Sequence, residues 1–263
     1  MRFKITLSVA TKAKKFLPFN YQYELSSWIY KVLHQADEEY SHFLHQNGYQ
    51  TDRKTFKLFC FSNFYIPKFK PGKEAIELDC NEISFYITFY LDRASEKFVM
   101  GLFKSQQGSI GNKDYQLDFI VSHIEAQPFV WTGEALYLKT ISPMVIGKKN
   151  AQNHDDYLSP TDADFKVLFL NNLIDKYKAT EQNIPIGWQN YPFDLQIYEP
   201  IRSKLITIKS HTDHLTKVKG YMFSFQLKAP KELLEIGLLA GFGKMNAQGF
   251  GACEMVEKEV KKV

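Results

Sequence analysis

At 263 residues, with 44% apolar and 24% charged side chains, the chain has the composition of an ordinary folded protein and is long enough for two domains of about 130 residues each. Its three cysteines, Cys60, Cys80 and Cys253, form no C-x-x-C pair, which argues against a disulfide framework or a thiolate zinc site and suits a reducing compartment. The net charge of +4 is uneven: residues 1–200 hold 22 basic and 23 acidic side chains and residues 201–263 hold 11 and 6, so the C-terminal segment suits an acidic partner such as nucleic acid, or simply a solvated basic face.

The chain opens on an alternating run that predicts a strand over Arg2–Val9, with Phe3, Ile5, Leu7 and Val9 on one face. It lacks the long apolar core of a signal peptide, and no later stretch approaches the roughly 18 apolar residues that span a bilayer, so a cytoplasmic protein without a membrane partner is expected. From Tyr21 the period changes. Leu25, Trp28, Ile29, Val32 and Leu33 recur as on one face of a helix, with Pro18 ahead of it. A second helical piece is predicted over Glu38–Leu44, strands over Phe56–Phe64, Ile76–Leu78 and Ile83–Tyr90, a helix over Glu96–Phe103 and a strand over Tyr115–Ile124. This is the β-α-β-β-α-β order of a ferredoxin-like unit.

The second half repeats that order. Strands are predicted over Ala135–Thr140, Phe193–Tyr198, Leu205–Lys209, Gly220–Leu227 and Phe250–Val256, with helices over Ala163–Lys178 and Lys231–Leu239. The fold class expected is therefore α+β, two tandem ferredoxin-like domains over residues 1–128 and 129–263. Gly147–Ser159, rich in Lys, Asn and Asp, reads as a polar insertion, either a solvated connection or a mobile loop over a partner.

The most informative segment lies near the end, Gly241-Phe-Gly-Lys-Met-Asn-Ala-Gln-Gly-Phe-Gly251. Two familiar glycine loops are excluded by spacing: the dinucleotide pattern needs Gly where Asn246 stands, and the phosphate loop needs Gly where Gln248 stands. Both also follow a strand, whereas a helix precedes this one. What remains is a loop whose amides and Lys244 could meet a phosphate backbone, or a tight structural turn.

Other chemistry thins out quickly. Neither the His42/His45 pair nor the His211/His214 pair carries an H-E-x-x-H pattern, so no metal is expected. Asp155, Asp156, Asp162 and Asp164 sit in or beside the polar insertion, where helix capping accounts for Asp, and no serine has the G-x-S-x-G setting. His45 is different, because it ends a helical piece and precedes Arg53, Lys54 and Lys57. A histidine can exchange a proton with oxygen at neutral pH, and cations can offset charge building on a phosphate. Tyr30 lies about 130° from the apolar stripe of the first helix, which leaves its hydroxyl at the helix edge.

Three stretches, taken in order, give a resemblance: Leu17–Tyr30; Phe43-Leu-His45 followed by Lys57-Leu-Phe-Cys-Phe-Ser62; and the glycine loop. Together they span nearly the whole chain and resemble the CRISPR repeat-processing endoribonucleases of the repeat-associated RNA-binding superfamily. That resemblance implies two ferredoxin-like domains side by side and a nuclease that cuts precursor CRISPR RNA within each repeat, using no cofactor and no metal. Residue by residue, it gives His45 the role of catalytic histidine, as base or acid, and Tyr30 that of the helix-borne tyrosine. Lys57 or Lys54 is the catalytic lysine, and Cys60 stands where Thr is common. His42 matches no family role.

The resemblance also implies RNA contacts from the glycine loop, through Gly241, Gly243, Lys244, Asn246, Gly249 and Gly251. Arg202, Lys204, Lys209, Lys217 and Lys219 either extend the track or form the wet face of a sheet. The partners expected are CRISPR repeat RNA and other subunits of a CRISPR complex, with the protein itself a monomer or homodimer. A protein that binds repeats without cutting, and a structural subunit of a larger ribonucleoprotein, are the rival readings.

Overall fold

The alternation of Arg2–Val9 turns every second side chain inward, and Ile5 and Leu7 have no exposed surface at all. In this computed structural model, which describes residues 1–9, 15–51, 54–152, 154–188, 191–209 and 215–257, that strand (β1) is the centre of a five-stranded antiparallel sheet. The N-terminal half continues with β2 (Phe16–Pro18), α1 (Gln22–Ala36), α2 (Glu38–Gln46), β3 (Tyr49–Gln50), β4 (Thr55–Phe56) and β5 (Phe59–Phe61). There follow β6 (Phe69–Pro71), β7 (Ala75–Leu78), β8 (Glu82–Phe89), α3 (Asp92–Lys104), β9 (Gln107–Gly111) and β10 (Gln116–Ala126). The sheet runs β5-β8-β1-β10-β9, and the apolar stripes of α1 and α3 close over it.

The second half comprises β11 (Ala135–Thr140), β12 (Gly147–Lys149), β13 (Asp155–Tyr157), α4 (Phe165–Lys178), β14 (Asp194–Ile208), β15 (Thr216–Lys228), α5 (Lys231–Ala240) and β16 (Cys253–Met255). Its antiparallel sheet runs β14-β15-β11-β16, with Phe165, Phe169 and Leu173 of α4 and the apolar face of α5 in its core. The chain is α+β throughout. Among the described residues no helix is long and apolar enough to cross a membrane.

The structure departs from the sequence reading at several points. The single strand expected over Phe56–Phe64 is broken into β4 and β5, because Leu58 between them has φ +54°. The edge strand β9 was not expected, since its glycines carry no strand signal. The strands expected over Phe193–Tyr198 and Leu205–Lys209 are one strand, β14, whose pairing with β15 slips between Tyr198 and Arg202. Within the polar insertion, Gly147–Lys149 and Asp155–Tyr157 pair as the β12–β13 hairpin, in which Lys149 pairs with Asp155. His211 and His214 lie outside the described residues.

The two halves are interlocked. Leu58, from the first half, is buried in the core of the second, while Ala247, from the glycine loop of the second, belongs to the core of the first.

Candidate active site

The geometry begins with a sharp helix junction. Asp37 ends α1 and caps α2, its carboxylate accepting from the Tyr40 N–H at 2.9 Å and pairing with Lys97 of α3 at 3.0 Å. The two helices are thereby set so that His45, in the last turn of α2, comes up against Tyr30 of α1. Their rings meet edge to face, centroids 5.1 Å apart at 83°, and the other side of Tyr30 rests on Phe59 at 5.8 Å. Burial pushes the Tyr30 phenol well above its ordinary value, so the hydroxyl stays protonated.

The lysine arrives from the other direction. After α2 the chain turns at Gly48 (φ +60°), makes the β3–β4 hairpin, and returns through Lys57. The Lys57 ammonium donates to the carbonyl oxygen of His45 at 2.8 Å, where the C-terminal end of α2 carries partial negative charge. Gly48 is required by this approach: a Cβ there would meet Phe56 O at 2.6 Å and Lys57 Nζ at 3.2 Å. Partial burial lowers the Lys57 pKa. The positive φ of Leu58 then sends the next side chain into the other core, so Lys57 and Leu58 point to different halves. Tyr30 and His45 border a surface depression of about 660 Å³, shared with His34, Glu38, Glu39, Ser41 and His42. Sequence reasoning set His42 apart on lack of a family role, yet it lines the same depression.

Lys54 does not join this group. Its ammonium is ion-paired with Asp175 of α4, and it lies close enough to Lys244 to influence that side chain. Arg53 lies outside the described residues. Among the described residues no group of three or more His, Cys, Asp or Glu side chains could hold a metal ion.

The glycine loop is largely internal. Gly241, Gly243, Gly249 and Gly251 all have φ between +75° and +88°, a conformation L side chains rarely adopt. The N–H groups of Phe242, Lys244 and Gly251 donate to Gly251 O, Val145 O and Pro143 O, and so are not free to line an anion nest. Asn246, expected to face a phosphate, turns inward, its amide donating to Phe242 O at 3.2 Å and Phe250 O at 3.0 Å. The 3-10 turn Asn246–Gln248 abuts α1, where the Ser26 hydroxyl donates to Ala247 O at 2.6 Å. Lys244 alone of these residues offers a partly exposed cation. It stands 3.8 Å from Asp155 of the hairpin, and its pKa is lowered by burial, with Asp155 opposing and Lys54 and Lys149 adding to the depression.

The remaining basic residues divide. Arg202 and Lys204 line a groove of about 1150 Å³ on the C-terminal sheet, together with Tyr137, Lys139, Tyr198 and Met222. Lys217 and Lys219 pair in register with Thr207 and Leu205 and so belong to the opposite face of the ribbon, with Lys219 over the Tyr221 ring at 5.5 Å. Lys209 follows β14 directly, with φ +55°. Two residues escaped sequence reading although a signal existed. Lys176 falls on the apolar stripe of α4 three residues after Leu173, and Ser26 lies four after Gln22 on the buried side of α1.

These features fit comparison with known proteins. Residues 16–125 match the family model described as CRISPR-associated protein Cas6, N-terminal, and residues 125–255 match CRISPR associated protein Cas6, C-terminal. The chain belongs to the Cas6 family of CRISPR repeat-processing endoribonucleases. It is 29% identical to CRISPR-associated endoribonuclease Cas6 1 of Methanocaldococcus jannaschii, over 98% of this chain and 95% of that one. It is 25% identical to the endoribonuclease-like protein Cas6nc of Pyrococcus horikoshii, over 98% of this chain and all of the other. A solved structure titled CRISPR associated protein Cas6 superposes with a TM-score of 0.76 at 28% identity, covering 98% of this chain and 99% of that one. This kinship supports RNA-cleaving activity in general.

Proposed function

We propose that this protein cuts precursor CRISPR RNA within its repeats by attack of the RNA's own 2′-hydroxyl. That oxygen bonds to the adjacent phosphorus while the P–O5′ bond breaks, giving a 2′,3′-cyclic phosphate on one fragment and a 5′-hydroxyl on the other. One proton leaves the 2′ oxygen and one reaches the 5′ oxygen, and His45 handles one of the two transfers. Tyr30, kept protonated by burial, donates to a phosphoryl oxygen, and Lys57 offsets charge on the phosphorane. The meeting of Tyr30, His45 and Lys57 from α1, α2 and the segment after β4 is the observation that carries this reading. The chemistry calls on no cofactor.

In this reading the strand orders β5-β8-β1-β10 and β14-β15-β11-β16 are two ferredoxin-like domains, residues 1–128 and 129–263. Lys244 at their junction and Arg202 and Lys204 in the C-terminal groove hold the phosphate backbone, and the groove's Tyr137 and Tyr198 offer stacking faces to bases. The decisive experiment incubates labelled repeat RNA with the protein in EDTA, with and without a 2′-deoxy substitution at the scissile nucleotide, and maps the product ends. Cleavage of the ribose substrate alone, with a cyclic phosphate, is expected. Cutting of the deoxy substrate would overturn the mechanism, and binding without product would favour a repeat-binding protein.

A further inference from the structure

Lysine is almost never fully buried unless paired, yet Lys176 is 1% exposed on the core face of α4. No carboxylate among the described residues lies within ion-pair distance of it. Its Nζ donates instead to the carbonyls of Gly241 and, at 2.8 Å, Gly243. The peptide units bearing those carbonyls are held at their other ends too: the Phe242 N–H donates to Gly251 O at 2.9 Å and the Lys244 N–H to Val145 O at 2.8 Å. Lys244 therefore sits between two positive-φ residues, Gly243 (+76°) and Met245 (+61°), on a peptide plane fixed from both sides.

Resting on the RNA-binding reading above, we propose that Lys176 is a positioning residue for RNA binding. By holding the Gly241 and Gly243 carbonyls it sets the direction in which Lys244 leaves the loop, and so where that ammonium meets a phosphate. Lys176 is itself closed off from any RNA, with the buried thiols Cys60 and Cys253 beside it. Two N–H donors suffice for two carbonyls, and both the ammonium and the neutral amine supply them.

The test is a double-mutant cycle read through salt dependence. Affinity for labelled single-repeat RNA is measured against KCl concentration for wild type, Lys244→Ala, Lys176→Met and the double variant. Lys176→Met is expected to weaken binding as Lys244→Ala does and to lower the log–log salt slope by ~0.7–0.9, one phosphate contact, while the double variant loses nothing beyond Lys244→Ala. Circular dichroism checks the fold, and if Lys176→Met does not fold, Lys176→Gln, whose arm is one bond shorter and so leaves its N–H donors out of reach of the two carbonyls, replaces it in the cycle. An unchanged salt slope, additive losses, or failure of both variants to fold would overturn the proposal and leave an architectural lysine. Absence of wild-type binding would instead bring down the functional reading on which it rests.

Discussion

The Lys57 ammonium donates to the main-chain carbonyl of His45 at 2.8 Å, so the catalytic candidates are joined through the end of α2 as well as through space. Lys57 is thereby anchored where the helix end is electronegative, and Gly48 leaves the room it needs. A side chain held in this way has little freedom left to lose when a phosphate arrives.

Replacing His45 by Ala should leave RNA affinity intact and reduce the single-turnover cleavage rate by roughly 10²–10⁴-fold, the usual worth of a proton-transfer group. His42→Ala should cost far less, because His45 alone has the Tyr30 ring and Lys57 against it. Rates measured under saturating protein decide this, and comparable losses in the two variants would shift the proton transfer to the pair.

Lys57→Ala should slow cleavage by roughly 10²-fold, as removal of one donor to a developing oxyanion does elsewhere. Lys54→Ala removes an exposed ion pair with Asp175 and should cost at most about 1 kcal/mol of stability, with a smaller effect on the chemical step. The ratio of the two single-turnover rates is the measurement, and a slower Lys54 variant would reverse the assignment.

Burial lowers the Lys176 pKa from its ordinary 10.5 to about 7. Between those values the unfolded chain holds a proton that the folded chain has released, so stability should rise with pH across that window, by at most ~1.4 kcal/mol per pH unit from this group. Below about pH 7 the full cost of burying the charge is present. Denaturant titrations of wild type and Lys176→Met from pH 7 to 10 should differ by this slope, and parallel pH profiles would refute it.

Leu58 has 3% exposure, φ +54° and a side chain seated in the opposite half's core. Leu58→Ala should cost about 2–5 kcal/mol in equilibrium unfolding, since it opens a cavity at the junction without relieving the backbone. A loss below about 1 kcal/mol would mean the interlock contributes little.

Local periodicity in the sequence was enough to place the framework. Phe3, Ile5, Leu7 and Val9 lie on one strand face, and Leu25, Trp28, Ile29, Val32 and Leu33 on one helix face, as their spacing requires. The α+β order and the presence of Tyr30 and His45 at helix positions were legible for the same reason: burial of an apolar face acts on neighbours a few residues apart. What decided between Lys54 and Lys57 as the neighbour of His45 was tertiary. The positive φ of Leu58 and the pull of Asp175, 121 residues away in sequence, turn the two lysines apart, and neither leaves a trace in local pattern. The same holds for the glycine loop. Its glycine content could be read from composition, but only the packing of α1, α4 and the segment Pro143–Val145 against it determined that Asn246 and the amides of Phe242, Lys244 and Gly251 face inward and that Lys244 is left to face out. Such hydrogen bonds join distant segments, and a buried polar group takes whichever partner the assembled fold brings within reach.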